Sequence, residues 1–309
     1  DVTELSAKEL LLPRLPVRTD SLPNAQATPF ALPELPVSVA IKNLVITRAE
    51  LGQSVLGQEA VIGLSGAVTL MDGSGQANLS VTRLPPQSGE VSLTASYANN
   101  TQDLSVDLSV AEPQDGLIAN MLNLPDVPAL SLTAMGTGPL SDFTGQLALS
   151  TDGAPRLTGK ITLQKPDQTT QFVAALGGDV APLFAPDYQA FFGPNMALDV
   201  TGERDADGQL RLDRLSLETR ALSITGRIAL TSDGRPSMAQ LRADLSGKDG
   251  GHVLLPIAGP QTRIQAANLL LDYDAAKSDG WRLYATLLGM DRADLTLQTA
   301  QLQATGTLT

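Results

Sequence analysis

The sequence predicts a mainly β fold, an elongated antiparallel sheet assembled from repeated strand units with a few short helices. Three observations predict it. Apolar and polar residues alternate in short runs, Asp-Gly dipeptides separate many of the runs, and three prolines, Pro128, Pro194 and Pro260, recur at a constant spacing of 66 residues. Alternation puts residues i and i+2 on one face of a strand. Asp-Gly supplies the positive φ angles of tight hairpin turns, and these join antiparallel rather than parallel neighbours. A fixed spacing marks a unit that stacks on its neighbours.

Composition narrows the class further. Aromatic residues make up 4% of the 309 residues, so the interior is lined by Leu, Val, Ile and Ala. The net charge of −12 and pI near 4.5 repel phosphate backbones and argue against a nucleic-acid partner. The chain has no cysteine, which removes disulfides, thiolate-bound zinc and thiol catalysis. It starts at Asp1 without a leader and reads as an interior piece of a longer protein, with any targeting signal and membrane anchor outside it. Its longest apolar clusters, such as Val253–Ile257, fall far short of the roughly 18–20 residues of a membrane helix.

The elements follow in order. Residues 1–36 carry Pro13, Pro16, Pro23, Pro29, Pro33 and Pro36 and predict an extended, partly polyproline lead-in. Residues 37–127 form a first β segment, with runs at Val39 and Ile41, Val61 to Leu70, and Ala77, Leu79 and Val81, ending in a short helix over Leu117–Leu122. Units follow at 128–193 and 194–259, with a partial unit at 260–309. Phe143–Leu149, Leu157–Leu163, Leu210–Leu217 and Leu222–Leu230 read as strands, and Val180–Phe192 as a short helix. Leu254 and Leu255 take the place of that helix before the third proline. Hairpin turns are expected at Asp72, Asp152, Asp207, Asp233 and Asp279. About 18 strands at roughly 4.8 Å spacing would make a rod rather than a ball.

A resemblance to a known family enters at Gly138-Pro139-Leu140-Ser141-Asp142-Phe143-Thr144-Gly145, with Leu147, Leu149 and Asp152-Gly153 behind it. Phe30–Val37, Ala190-Phe191-Phe192-Gly193-Pro194 and the Leu-x-Leu, Leu-x-Ile-x-Gly cadence of Leu215 to Gly226 extend it over nearly the whole chain. The sequence resembles the TamB/AsmA-like family, in its α-proteobacterial form. The resemblance implies a sheet curled into a half-open trough, or β-taco, in the periplasm of a Gram-negative bacterium. It implies an inner-membrane anchor and a TamA-like outer-membrane barrel partner, both engaged through regions outside these residues. The function implied is phospholipid transport in support of outer-membrane biogenesis, without an enzymatic step or a cofactor.

The residues expected to line the groove are the paired aliphatics Leu130, Leu132, Leu147, Leu149, Ile161, Leu163, Leu198, Val200, Leu210, Leu212, Ile228, Leu230, Leu283 and Leu287. Ser131, Ala148, Thr162, Arg211, Ala229 and Tyr284 take the opposite, wetter face. Phospholipid acyl chains would be held there by about 0.8 kcal/mol per buried CH₂. Two other readings use the same pattern. One is a chaperone-like assembly factor for outer-membrane proteins that engages clients through sheet edges. The other is a structural β-rod or adhesin with a dry core.

No catalytic or metal constellation is expected. His252, the single histidine, stands beside Gly250 and Gly251 in a loop, and no G-x-S-x-G element accompanies it. Asp205-Ala206-Asp207-Gly208 opens like a calcium loop but lacks the closing glutamate, which favours a turn. Gly136-Thr137-Gly138-Pro139 lacks the Lys and Ser/Thr of a phosphate loop and also reads as a turn. The 33 carboxylates offer no distinguishable catalytic pair. The ring cluster Leu183, Phe184, Tyr188, Phe191 and Phe192 is expected to pack as a cap on the sheet rather than to touch a membrane. Trp281 is expected on a sheet face.

Overall fold

The computed structural model describes residues 4–14, 32, 38–293 and 295–308. Strand accounts for 65% of the residues and helix for 8%, so hydrogen bonding between strands carries the architecture. The chain divides into two compact units at Thr162 and Leu163.

In the first unit β1 (Glu4–Ala7) and β2 (Leu10–Leu12) precede β3 (Val39–Leu51), α1 (Gln53–Leu56), β4 (Ala60–Met71), β5 (Ser74–Arg83), β6 (Glu90–Ala98) and β7 (Asp103–Glu112). Then come α2 (Leu117–Met121), β8 (Leu130–Pro139), β9 (Asp142–Thr151) and β10 (Ala154–Gln164), whose last residues cross the division. From β3 to β9 each strand pairs antiparallel with the next, and β9 pairs with β10.

The start of the lead-in departs from expectation, while Pro16, Pro23, Pro29, Pro33 and Pro36 lie outside the described residues. β1 and β2 both join β3 in parallel, so the sheet is mixed. Parallel pairing needs a long connection, and the number of residues between Leu12 and Val39 is enough for one. The end of β2 is also tied down: the Gly52 N–H donates to Leu12 O at 3.0 Å and the Ser54 hydroxyl to Pro13 O at 2.6 Å.

The second unit holds β11 (Thr170–Gly178), a 3-10 turn (Ala181–Leu183), α3 (Pro186–Phe192), β12 (Met196–Arg204), β13 (Leu210–Glu218), β14 (Leu222–Leu230) and β15 (Pro236–Ser246). A second 3-10 turn (Lys248–Gly250), β16 (Val253–Leu254), β17 (Thr262–Asp274), β18 (Ser278–Arg292) and β19 (Leu295–Thr307) complete it. Neighbours pair antiparallel from β11 to β19, with β16 a short addition to β17. The ladder does not close on itself.

The recurring prolines have a common place. Pro128, Pro194 and Pro260 each stand two residues before a strand, β8, β12 and β17 respectively. Proline has no N–H to give a ladder, so it marks where pairing begins. In chain order, a capping element precedes each set of strands: α1 before β4, α2 before β8, α3 before β12, β16 before β17. Within a unit an even number of antiparallel strands separates one cap from the next, so the caps gather at the same strand ends. The single helix expected over Val180–Phe192 is broken, because Pro186 disfavours helical backbone at Ala185, which is extended at φ −53° and ψ 145°.

The turns largely follow the Asp-Gly dipeptides. Asp72-Gly73 and Asp152-Gly153 have positive φ at both residues. At Asp207-Gly208 and Asp233-Gly234 only the glycine does, after turns closed by Gly208 N–H to Asp205 O and Gly234 N–H to Thr231 O. Asp279-Gly280 is a correction. It lies inside β18, and the turn forms earlier at Asp274–Lys277. There the Asp274 carboxylate accepts the Ala276 N–H at 3.1 Å and pairs with the Lys277 ammonium at 2.9 Å, leaving Tyr273 opposite Trp281. Gly136-Thr137-Gly138-Pro139 is likewise not the turn. It is the end of β8, and the chain reverses at Leu140 and Ser141.

Most of the buried residues gather at the capped strand ends: Ala49, Ala60, Val110, Leu117, Ala119, Leu124 and Leu130 in the first unit, and Phe191, Ala221, Val253, Leu254 and Ile264 in the second. The α2 cap is held electrostatically as well. Glu112, 8% exposed, accepts the Leu117 N–H at 3.1 Å and the Ile118 N–H at 2.8 Å, satisfying two donors that the short helix leaves free. Arg83, 5% exposed, donates to Asp115 O at 3.1 Å in the same loop. Glu112→Ala is expected to destabilise this end by about 1–3 kcal/mol. A lower urea midpoint together with faster amide exchange at Leu117 and Ile118 checks it, and unchanged exchange there contradicts it.

Candidate functional site: an apolar sheet face

Pairing register turns the alternation within each strand into continuous rows across strands. In the first unit Leu64, Val81, Val91, Val110, Leu132 and Leu149 are mutual neighbours from β4 to β9. The adjacent row on the other face is Ser65, Ser80, Ser92, Ser109 and Thr133. One face is therefore aliphatic and the other hydroxylated.

The second unit repeats this more extensively. Leu176, Leu198, Leu217, Ile224, Ala243, Leu269, Ala285 and Leu302 form one row over eight strands. Ala174, Val200, Leu215, Gly226, Leu241, Leu271, Leu283 and Ala304 form the next. The opposite face carries Asp199, Ser216, Thr225, Arg242, Leu270, Tyr284 and Gln303.

The structure places the expected groove residues on these apolar faces. Leu132 and Leu149 pair directly, and Leu130 and Leu147 share their face two residues away. Ile161 lies against Gly145, where an added Cβ would come within 3.1 Å of its Cγ2, and Leu163 is two residues further along the same face. Leu198 and Val200 belong to the two long rows. Leu210 faces Leu230, Leu212 faces Ile228, and Leu283 and Leu287 face Leu271 and Ala267.

Two features were not foreseen. β13 is irregular between Leu212 and Leu215, so that Asp213 and Arg214 intervene while Leu215 and Leu217 return to the apolar face. The consecutive polar pair Asp213-Arg214 inside an alternating run is the sequence signal for it. The rings also have a defined seat. Tyr97 is opposite Gly75, Phe172 opposite Gly202 and Trp281 opposite Gly306. A Cβ at Gly202 would stand 2.8 Å from Phe172 Cζ, and one at Gly306 2.7 Å from Trp281 Cε2, so these glycines make room for the rings.

The apolar face is not a dry core. Its side chains are mostly half-buried, Ile161 is 39% exposed and Leu302 55%, and no large side chain among the described residues is fully buried. An aliphatic surface this continuous calls for a cover. Its only chemistry is the exclusion of water, which suits flexible hydrocarbon of no fixed shape.

The aromatic cluster packs against one end. Phe191 contributes to a core with Ala221 and Val253, while Phe192, Leu222, Leu245 and Leu255 pack around it. Phe192 stacks on Phe184 with ring centres 3.8 Å apart. The N–H groups of Arg220 and Ala221 donate to the carbonyls of Phe192 and Phe191 at 2.9 and 3.1 Å, which fixes α3 to the β13–β14 turn.

The polar face carries exposed ion pairs. Arg211 pairs with Glu203 and Asp213, Arg242 with Asp244 and Arg282 with Asp272. A depression of about 540 Å³ opens among Thr225, Arg227, Gln240, Arg242, Asp272, Arg282 and Tyr284. Its arginines are already engaged by Gln240, Asp244 and Asp272. His252 is exposed before β16. Asp205-Ala206-Asp207-Gly208 is the β12–β13 turn, where Asp205 accepts the Thr169 hydroxyl at 2.9 Å and Asp207 the Gln209 amide at 2.7 Å.

Hydrogen bonds from the Arg242 guanidinium and the Asn268 amide, in that order, hold the Asp244 carboxyl below its ordinary 3.8. A depressed carboxylate stabilises the fold above its unfolded pKa, and that stabilisation fades as pH falls through the lower folded value. The pair thus stays intact at neutral pH and is lost only below 3.8. Arg242→Gln is expected to raise the Asp244 midpoint toward 3.8, read from its carboxyl carbon shift. An unmoved midpoint contradicts the assignment.

Comparison with known protein families, with characterised proteins and with solved structures finds no match.

Proposed function

We propose that the protein carries phospholipid acyl chains along its apolar face, as a non-enzymatic lipid conduit. The observation that supports this reading is the aliphatic row running from Leu176 to Leu302 across eight strands, half-exposed rather than sealed. Hydrocarbon laid against such a face gains about 0.8 kcal/mol per buried CH₂ without any directional contact, so it can also slide. A head group would remain in water. A structural rod or adhesin would instead bury its aliphatic residues in a closed core.

The setting follows from the sequence resemblance to the TamB/AsmA-like family. In that setting the protein works in the Gram-negative periplasm in support of outer-membrane biogenesis. The same resemblance implies an inner-membrane anchor and a TamA-like barrel partner.

Native mass spectrometry of the purified protein, followed by lipid extraction, tests the conduit. Co-purifying phospholipid is expected, and Leu212→Arg or Ile228→Asp, on the apolar face, should remove most of it while leaving the protein folded. Arg211→Asp, on the polar face, should remove little. A folded protein free of lipid, or equal losses from both faces, contradicts the conduit.

A further inference from the structure

The first unit contains a contact that no part of the sheet requires. The carboxamide of Asn99, just after β6, holds both backbone polar groups of Leu32. Its Oδ1 accepts the Leu32 N–H at 2.9 Å, and its Nδ2 donates to the Leu32 carbonyl at 2.9 Å. The two residues are 67 positions apart in sequence.

The receiving side is prepared for this. The Asn99 N–H donates to Gly73 O at 2.9 Å, and the Asn99 side chain lies so close to Gly73 that a Cβ there would stand 2.7 Å from Nδ2. Gly73 is buried, at a φ of +68° that only the turn glycine adopts without strain. These contacts to Gly73 hold Asn99 without any help from Leu32.

The Leu32 side chain reaches the apolar face. A Cβ at Gly75 would stand 2.7 Å from Leu32 Cδ1 and 3.7 Å from Leu70 Cδ1. Gly75 lies between Leu70 on β4 and Tyr97 on β6, and shares its face with Ala77 and Leu79. Tyr97 is 6% exposed, unusually covered for this face. Leu32 therefore fills a recess that the glycine leaves among aliphatic and aromatic neighbours.

We infer that Asn99, Gly73 and Gly75 form a seat on the apolar face for one apolar residue and its backbone, and that Leu32 occupies it in competition with an acyl chain. The recognition has two parts. The carboxamide reads the peptide backbone as a neighbouring strand would, and the recess reads an aliphatic side chain. The competition, though not the seat, rests on the lipid reading proposed above.

The absence of native cysteine makes the test direct. In the full chain, the pair L32C and G75C should form a disulfide under mild oxidation, while L32C with S92C on the polar face should not. A reporter thiol at Ala77, two residues from Gly75, should react with a maleimide roughly tenfold faster or more when N99A is added, the scale of two lost hydrogen bonds. Failure of the L32C and G75C pair to cross-link, or an A77C rate indifferent to N99A, overturns the seat. Oleate added to both reporters then decides the competition. Protection of A77C that is stronger with N99A than without it supports competition, and equal protection overturns it. Protection in neither contradicts the acyl-chain reading and the competition with it, while the cross-link and labelling rates still decide the seat.

Discussion

The structure depends on register. Each strand alternates aliphatic and polar residues, but alternation alone produces only a stripe on one strand. A shift of a single residue in any pairing would turn that strand's Leu and Val residues to the wet side. From β11 to β19 the pairings instead keep Leu176, Leu198, Leu217, Ile224, Ala243, Leu269, Ala285 and Leu302 side by side. The irregularity at Leu212–Leu215 works to the same end, because Leu215 and Leu217 rejoin the face after two polar residues.

Register in turn is pinned at the strand ends. Turn chemistry sets it at Asp72-Gly73 and Asp152-Gly153, where both residues adopt positive φ. The caps set it as well, and most of the burial is concentrated at the capped ends rather than along the middle of the face. Glu112 ties β7 to α2, and α3 is tied to the β13–β14 turn through Arg220 and Ala221. This division of labour has a functional meaning. Buried ends allow the middle of the sheet to stay half-exposed without losing its pairing.

Much of this was legible in the sequence, for identifiable reasons. Period-two alternation is local, so Leu130, Leu132, Ile228 and Leu230 could be assigned to a common face from their spacing alone. The 66-residue recurrence of proline marked strand starts because proline has no N–H to give a ladder and is disfavoured inside one. What stayed hidden depended on contacts distant in sequence. The parallel joining of β1 and β2 to β3 needs a partner whose identity no local pattern reveals. Asp279-Gly280 has turn chemistry, yet the pairing of Tyr273 with Trp281 and the Asp274–Lys277 contact moved the reversal upstream. The hold of Asn99 on Leu32 had no sequence signature at all.

The proposed conduit requires hydrocarbon on one face of the sheet and not on the other. Leu241 and Arg242 are consecutive residues of β15, paired with Leu271 on the apolar side and Leu270 on the polar side. A photoreactive benzoyl-phenylalanine placed at each position in turn, irradiated with labelled phospholipid vesicles, reads both faces at one point of the fold. Lipid adducts are expected from position 241 and few from position 242. Equal labelling at the two positions, or adducts from 242 alone, would contradict it.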